Sequence, residues 1–274
     1  MQMYQEATLS REGLQLLDSY FFEARSKTIT KGNSWYDTQH NPEKLEKITA
    51  LAVRYKSTPY QAFQLWWGSV NQFRPAIAKW VYTRYKPTRI LDFSAGWGGR
   101  CLGAIELGIP YTGIDSNQGL KQCYESLLRD HPGDVTMHFQ PSETFDFSTV
   151  DYDMVLTSPP YFMIERYECM PIYKTKAEFL SVFFRPVIER VWENLKSGGM
   201  LCLNMPEAMY EGCKDLLPAL HETLDMPLWN RFSKTSKAKR KELIYVWKKV
   251  DMFWKKNWFE KIVMLKTRDF ERSY

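Results

Sequence analysis

The stretch that decides the fold is Arg89–Gly108, RILDFSAGWGGRCLGAIELG. It opens on a short apolar run, RILDF, of the kind that forms a buried strand. It closes on a helix-like segment that ends at Gly108. Between them stand Gly96, Gly98 and Gly99. Glycines in a strand-to-helix turn allow tight turning and bring backbone amides close to a ligand at the helix N-terminus. Asp92 sits at the end of the strand. A second strand, YTGID (111–115), ends on Asp115, 17 residues after Gly98. An acidic side chain at that place suits the two hydroxyls of a ribose. The spacing is G-x-G-G, not G-x-G-x-x-G, and no Lys-Ser/Thr of a phosphate-binding P-loop is present.

Working outward, VTMHFQ (135–140) reads as a third strand, YDMVLT (152–157) as a fourth and MLCLNM (200–205) as a fifth. ELIYVWKK (242–249) is a late strand. Helical patterns separate them: GLKQCYESLLRD (119–130), AEFLSVFFRPVIERVWENLK (177–196) and CKDLLPALHETL (213–224). Strands alternating with helices from about 89 to 249 predict a doubly wound, mainly parallel sheet. The basic run RFSKTSKAKRK (231–241) is placed to form a hairpin with the last strand, which would make that strand antiparallel. Upstream, PEKLEKITALAVRY (42–55) and the aromatic-rich segment 60–85 carry apolar residues at helical spacing. The chain therefore divides into a helical region 1–85 (a cover over substrate or cofactor), an α/β domain 86–250 and an extension 251–274.

Apolar residues make up 44% of the 274 positions, enough for a sizeable core. No apolar run reaches the 18 residues or so of a membrane span, and the N-terminus has no basic-then-apolar signal pattern. An intracellular, non-secreted protein is expected. The five cysteines show no C-x-x-C spacing, which argues against a zinc ribbon or a disulfide scaffold. No metal site is expected. Net charge is +5, but from Arg231 to Lys249 eight basic residues face one acid, a local +7, so the remainder is about −2. Such concentration points to a polyanionic partner, with Arg231, Lys234, Lys237, Lys239, Arg240 and Lys241 as nucleic-acid contacts.

The fourth strand runs directly into TSPPYF (157–162). Proline offers no amide to a ladder and holds its predecessor extended, so this is a stiff loop ending in an exposed ring. An exocyclic amino nitrogen on a base is a poor nucleophile, because its lone pair is delocalised into the ring. Acceptors placed on both amino hydrogens favour a more tetrahedral nitrogen and stabilise the charge that develops on it. Ser158 can supply a hydroxyl oxygen, Pro159 a backbone carbonyl, and Tyr161 a face on which a swung-out base stacks.

Together, LDFSAGWGG, Asp115 of GIDSN and TSPPYF resemble the S-adenosylmethionine-dependent amino-methyltransferases, whose catalytic motif is (D/N/S)-P-P-(Y/F). The resemblance spans roughly 70–250. It implies a Rossmann-like class I methyltransferase fold with a seven-stranded sheet and S-adenosylmethionine as cofactor. It implies cofactor contacts at Asp92, Ser94, Gly96, Gly98 and Asp115, at Ser142 and Glu143 for the adenine (with Asp134 or Asp146 as alternatives), and at Phe73 and Arg74 over the methionine end. Ser158, Pro159, Pro160 and Tyr161 become the catalytic set. Where the family carries an aromatic in F-x-G-x-G, this chain has Ser94, with Phe93 beside it. The serine form of the motif resembles cytosine-N4 enzymes more than adenine-N6 enzymes, and DNA is the expected partner. RNA amino-methylation, or a binding protein of the same fold without catalysis, are the alternatives.

Overall fold

The computed structural model describes residues 10–162, 165–226 and 242–250. Its N-terminal part is helical: α1 (Leu14–Ser26), α2 (Trp35–Gln39), α3 (Pro42–Arg54), α4 (Pro59–Trp67) and α5 (Pro75–Tyr85). The starts of these helices are written locally. Ser34, Asn41 and Thr58 each accept a backbone N–H from three residues on, and Thr58 with Gln61 forms a reciprocal capping box. Prolines 42, 59 and 75 occupy first-turn positions, where a missing N–H costs nothing. Trp35, Ile48, Ala52, Ala62 and Phe63 give α2–α4 a small core of their own. In contrast, α1 and α5 pack into the core of the sheet through Leu17, Phe21, Ile77, Val81 and Tyr82.

Among the described residues seven strands follow: β1 (Ile90–Asp92), β2 (Tyr111–Ile114), β3 (Val135–His138), β4 (Met154–Thr157), β5 (Met200–Met205), β6 (Glu222–Met226) and β7 (Glu242–Lys248). They form one sheet in the order β3-β2-β1-β4-β5-β7-β6. All pairings are parallel except those of β7, which runs antiparallel to both β5 and β6. Between strands lie α6 (Gly99–Leu107), α7 (Lys121–Asp130), α8 (Lys176–Phe179), α9 (Arg185–Asn194) and α10 (Glu207–Tyr210). Alternate residues of each strand face opposite layers. On β4 and β5, Val155, Leu201 and Leu203 meet α9 through Val187, Ile188 and Val191. Met154, Leu156 and Cys202 face the other way, into the core that holds α1, α5 and α6.

Two expectations need correction. The segment read as a helix over 213–224 is not one: after α10 the chain makes turns, and Glu222–Leu224 belong to β6. Pro218 cannot continue a helix, and pairing with β7 claims the residues beyond it. The long helix expected over 177–196 is interrupted by a π-helical turn, Leu180–Phe184, immediately before Pro186 in α9. A proline without an N–H is a common place for such a shift in the hydrogen-bond ladder. The basic segment 231–241 and the extension 251–274 lie outside the described residues.

Gly99 shows how the helical region is fitted to the sheet domain. A Cβ at this position would lie 1.9 Å from the carbonyl oxygen of Phe73, so the backbone of residues 73–74 rests directly on the start of α6. Gly98, at φ 76°, is likewise pressed by the ring of Phe21 from α1, which a Cβ would meet at 2.8 Å. Gly99→Ala is expected to destabilise the protein by about 1–3 kcal/mol, because backbone must move to admit one methyl. Chemical denaturation with urea, against the wild-type protein, measures this.

Candidate active site

The parallel strands β1, β2, β4 and β5 all end along one edge, where open α/β sheets hold ligands. A cavity of about 1700 Å³ occupies that edge. Its wall contains Phe73, Arg74, Ser94, Gly96, Asp115, Ser142 and Ser158–Tyr161, so residues far apart in sequence converge on one space.

The cofactor half is built on the β1–α6 turn. Gly96 and Gly98 adopt positive φ values, 58° and 76°, which L side chains rarely tolerate. Asp115 is fixed by two backbone donors: Gly96 N–H to Oδ2 at 2.8 Å and Asn117 N–H to Oδ1 at 2.9 Å. Burial pushes its carboxyl pKa up, against those two hydrogen bonds. Ser142 donates its hydroxyl to the Phe93 carbonyl at 2.5 Å, which ties the 141–143 loop to the end of β1. Arg190 of α9 braces the same loop, donating to the carbonyls of Ser142, Glu143 and Phe145. Above the turn, the ring of Tyr167 lies 5.8 Å from that of Trp97, and an antiparallel bridge joins Arg166 to Ile29. The segment after the prolines is thus pinned to the helical region.

Two expected contacts fall behind the wall. Asp92 is fully buried and paired with Arg100, Nε to Oδ2 at 2.6 Å, while the Tyr111 hydroxyl donates to Oδ2 at 2.7 Å. Its carboxylate holds the turn from beneath, and Ser94 N–H also donates to it at 3.2 Å. Gly98 serves packing against α1, as above. Ser94 and Phe93 both line the cavity.

The other half is the Ser158–Tyr161 loop. The parallel register pairs Thr157 with Leu203, so Ser158 leaves the sheet beside Asn204. Ser158 Oγ lies 3.2 Å from Asn204 Oδ1 and 3.2 Å from the Tyr161 hydroxyl. Tyr161 donates to the Asn204 carbonyl at 3.2 Å. Asn204 was not among the sequence candidates, nor were Arg190, Trp97 and Tyr167; one polar residue in the apolar MLCLNM strand was the available signal for Asn204.

The sheet, parallel except for β7 and flanked by helices, is a Rossmann-like α/β fold. Residues 152–273, which include the SPPY loop and β5–β7, match the family described as DNA methylase, of N6/N4 amino-methyltransferases. Similar solved structures include TrmN from Thermus thermophilus (17% identity, TM-score 0.45, covering 64% of this chain and 49% of that one). TehB from Haemophilus influenzae follows at 13% identity and TM-score 0.46, covering 69% and 66%. An rRNA methylase from Streptococcus thermophilus matches at 11% identity and TM-score 0.43, covering 67% and 100%. The match thus spans about half the length of the Thermus chain. A search of curated protein sequences gave no match.

The residues present fit S-adenosylmethionine, the cofactor used by the family that residues 152–273 match. A half-buried carboxylate anchored by two backbone amides, beside a glycine turn at a helix start, matches a nucleoside with free hydroxyls. Among the described residues no helix is long and apolar enough to cross a membrane.

Proposed function

We propose that this protein transfers a methyl group from S-adenosylmethionine to the exocyclic amino group of a DNA base, cytosine N4 ahead of adenine N6. One observation carries the reading: the glycine turn with Asp115 and the Ser-Pro-Pro-Tyr loop line the same cavity. Bound there, S-adenosylmethionine would supply an electrophilic methyl group on its sulfonium sulfur.

Everything else falls to the chain. Asp115 would hold the ribose, Ser142 and Glu143 the adenine, and Phe73 and Arg74 the methionine end. Ser158 Oγ and the Pro159 carbonyl accept the two amino hydrogens, and Tyr161 stacks on the base. The methylated nitrogen is cationic and strongly acidic, so its proton passes to water without a dedicated base. Positioning does the rest. Arg231, Lys234, Lys237, Lys239, Arg240 and Lys241 supply phosphate contacts, and residues 1–85 form one side of the cover. DNA is favoured by the family match, and the serine form of the motif favours cytosine.

The test is label transfer from methyl-labelled cofactor to matched DNA and RNA pools. Label in DNA supports the reading; label confined to RNA moves the substrate class, and none in either defeats it. The cofactor half has its own prediction. As pH falls through the raised Asp115 pKa, above the ordinary carboxylate value of 3.8, the carboxylate that accepts ribose hydroxyls is lost. Cofactor affinity therefore drops on the acid side. Asp115→Asn weakens binding about tenfold or more at neutral pH and flattens that profile, as read by calorimetry across pH.

A further inference from the structure

Asn204 lies at the C-terminal end of β5, 2% exposed, where three strands meet. Its amide is oriented by β7: the Leu243 carbonyl can only accept, and Nδ2 donates to it at 3.2 Å. Oδ1 is thereby turned toward the loop, 3.2 Å from Ser158 Oγ and 3.4 Å from the Tyr161 hydroxyl. An amide oxygen carries no proton, so the hydroxyls must donate to it. Tyr161 has a second acceptor, the Asn204 backbone carbonyl at 3.2 Å. Both hydroxyls are satisfied when the Tyr161 proton goes to that carbonyl and the Ser158 proton to Oδ1.

The consequence is chemical. A serine hydroxyl is ordinarily a rotor that donates or accepts as its partner requires. With its proton held by Asn204, Ser158 faces the cavity as an acceptor. It then welcomes an N–H and opposes a carbonyl oxygen in the same place. We propose that Asn204 is a positioning residue that sets the polarity of Ser158 and anchors Tyr161, so that the pocket selects a base bearing an amino group over its keto counterpart. This rests on the amino-methyltransferase reading above.

The experiment compares binding of single-stranded oligonucleotides that differ at one base, cytosine against uracil and adenine against hypoxanthine, with S-adenosylhomocysteine present. The wild-type protein is expected to prefer the amino base by about tenfold, the scale of one buried hydrogen bond made or opposed. Asn204→Leu keeps the volume and removes the acceptor; the amino/keto ratio should fall toward one and kcat by about tenfold, with cofactor affinity unchanged. Asn204→Asp should restore the preference in its protonated form, which both donates to the Leu243 carbonyl and accepts from Ser158, and Asn204→Ala replaces the leucine variant if its bulk prevents folding. In a Ser158→Ala background, removing Asn204 should cost no further discrimination, because its path runs through that hydroxyl. A ratio unchanged in Asn204→Leu, or effects that simply add, would overturn the proposal while leaving the functional reading intact. A wild-type protein with neither amino preference nor methyl transfer would remove the functional reading, and this proposal with it.

Discussion

Ser158→Ala is expected to lower the rate of methyl transfer by about 10²–10³-fold, the usual cost of deleting one hydrogen-bonding group aimed at developing charge. The chemistry explains why the effect falls on kcat. In the ground state the amino nitrogen is flat and weakly basic, and Ser158 gains little by accepting from it. As the methyl arrives the nitrogen becomes cationic, and its hydrogens bind an acceptor far more strongly. The interaction therefore grows toward the transition state and appears in kcat more than in KM. Cofactor affinity should stay near wild type, because the turn that holds it is built from β1 and β2. Tyr161→Ala is expected to act differently: loss of a stacking face weakens substrate binding by about 1–3 kcal/mol and raises KM as well. Steady-state kinetics of both variants, with calorimetry of the cofactor, separates these patterns. Unchanged kcat in Ser158→Ala, or unchanged KM in Tyr161→Ala, would contradict the role assigned to that residue.

Asp92→Ala is expected to have the largest effect on stability, about 3–5 kcal/mol, because it strands the Arg100 guanidinium without its counter-charge. Arg100 is 4% exposed. Burial alone would pull its pKa down, and Asp92 with the neighbouring tyrosines more than reverses this, so the group stays charged. Its remaining donors support the turn: one nitrogen reaches the Ser94 carbonyl at 2.6 Å, and Cζ lies 5.0 Å from the centre of the Phe73 ring. Against a total stability of roughly 5–15 kcal/mol for a domain, such a loss is severe. Replacing Asp92 and Arg100 together with apolar residues should cost less than Asp92→Ala alone, since no buried charge is left unpaired. Urea denaturation of the single and double variants tests the pair directly.

These two sites differ in how far they could be read from the sequence, and the reason is physical. The glycine turn and the Ser-Pro-Pro-Tyr loop were legible because their demands are local. A positive φ asks for glycine, and a stiff strand exit asks for proline, whatever lies elsewhere in the chain. Asp115 was legible for the same reason, as an acid closing the next strand. Asp92 occupies an equivalent position in the pattern yet is turned inward, since its partners are Arg100 and Tyr111. Neither helical periodicity nor strand alternation announces a buried guanidinium. Asn204 depended on pairing among β4, β5 and β7, and β6 was mistaken for helix because only its pairing with β7 settles its conformation. Non-local register was the missing information in each case.

The central claim is that the Ser158–Tyr161 loop presents an amino group of a DNA base to the cofactor. Mass spectrometry of nucleosides, from DNA incubated with the protein and S-adenosylmethionine, tests it most directly. The account predicts N4-methylcytosine, or N6-methyladenine if the clamp holds the larger ring, accumulating about 10²–10³-fold more slowly with Ser158→Ala. Methylation at a ring carbon, or DNA left unmodified while RNA is methylated, would contradict it.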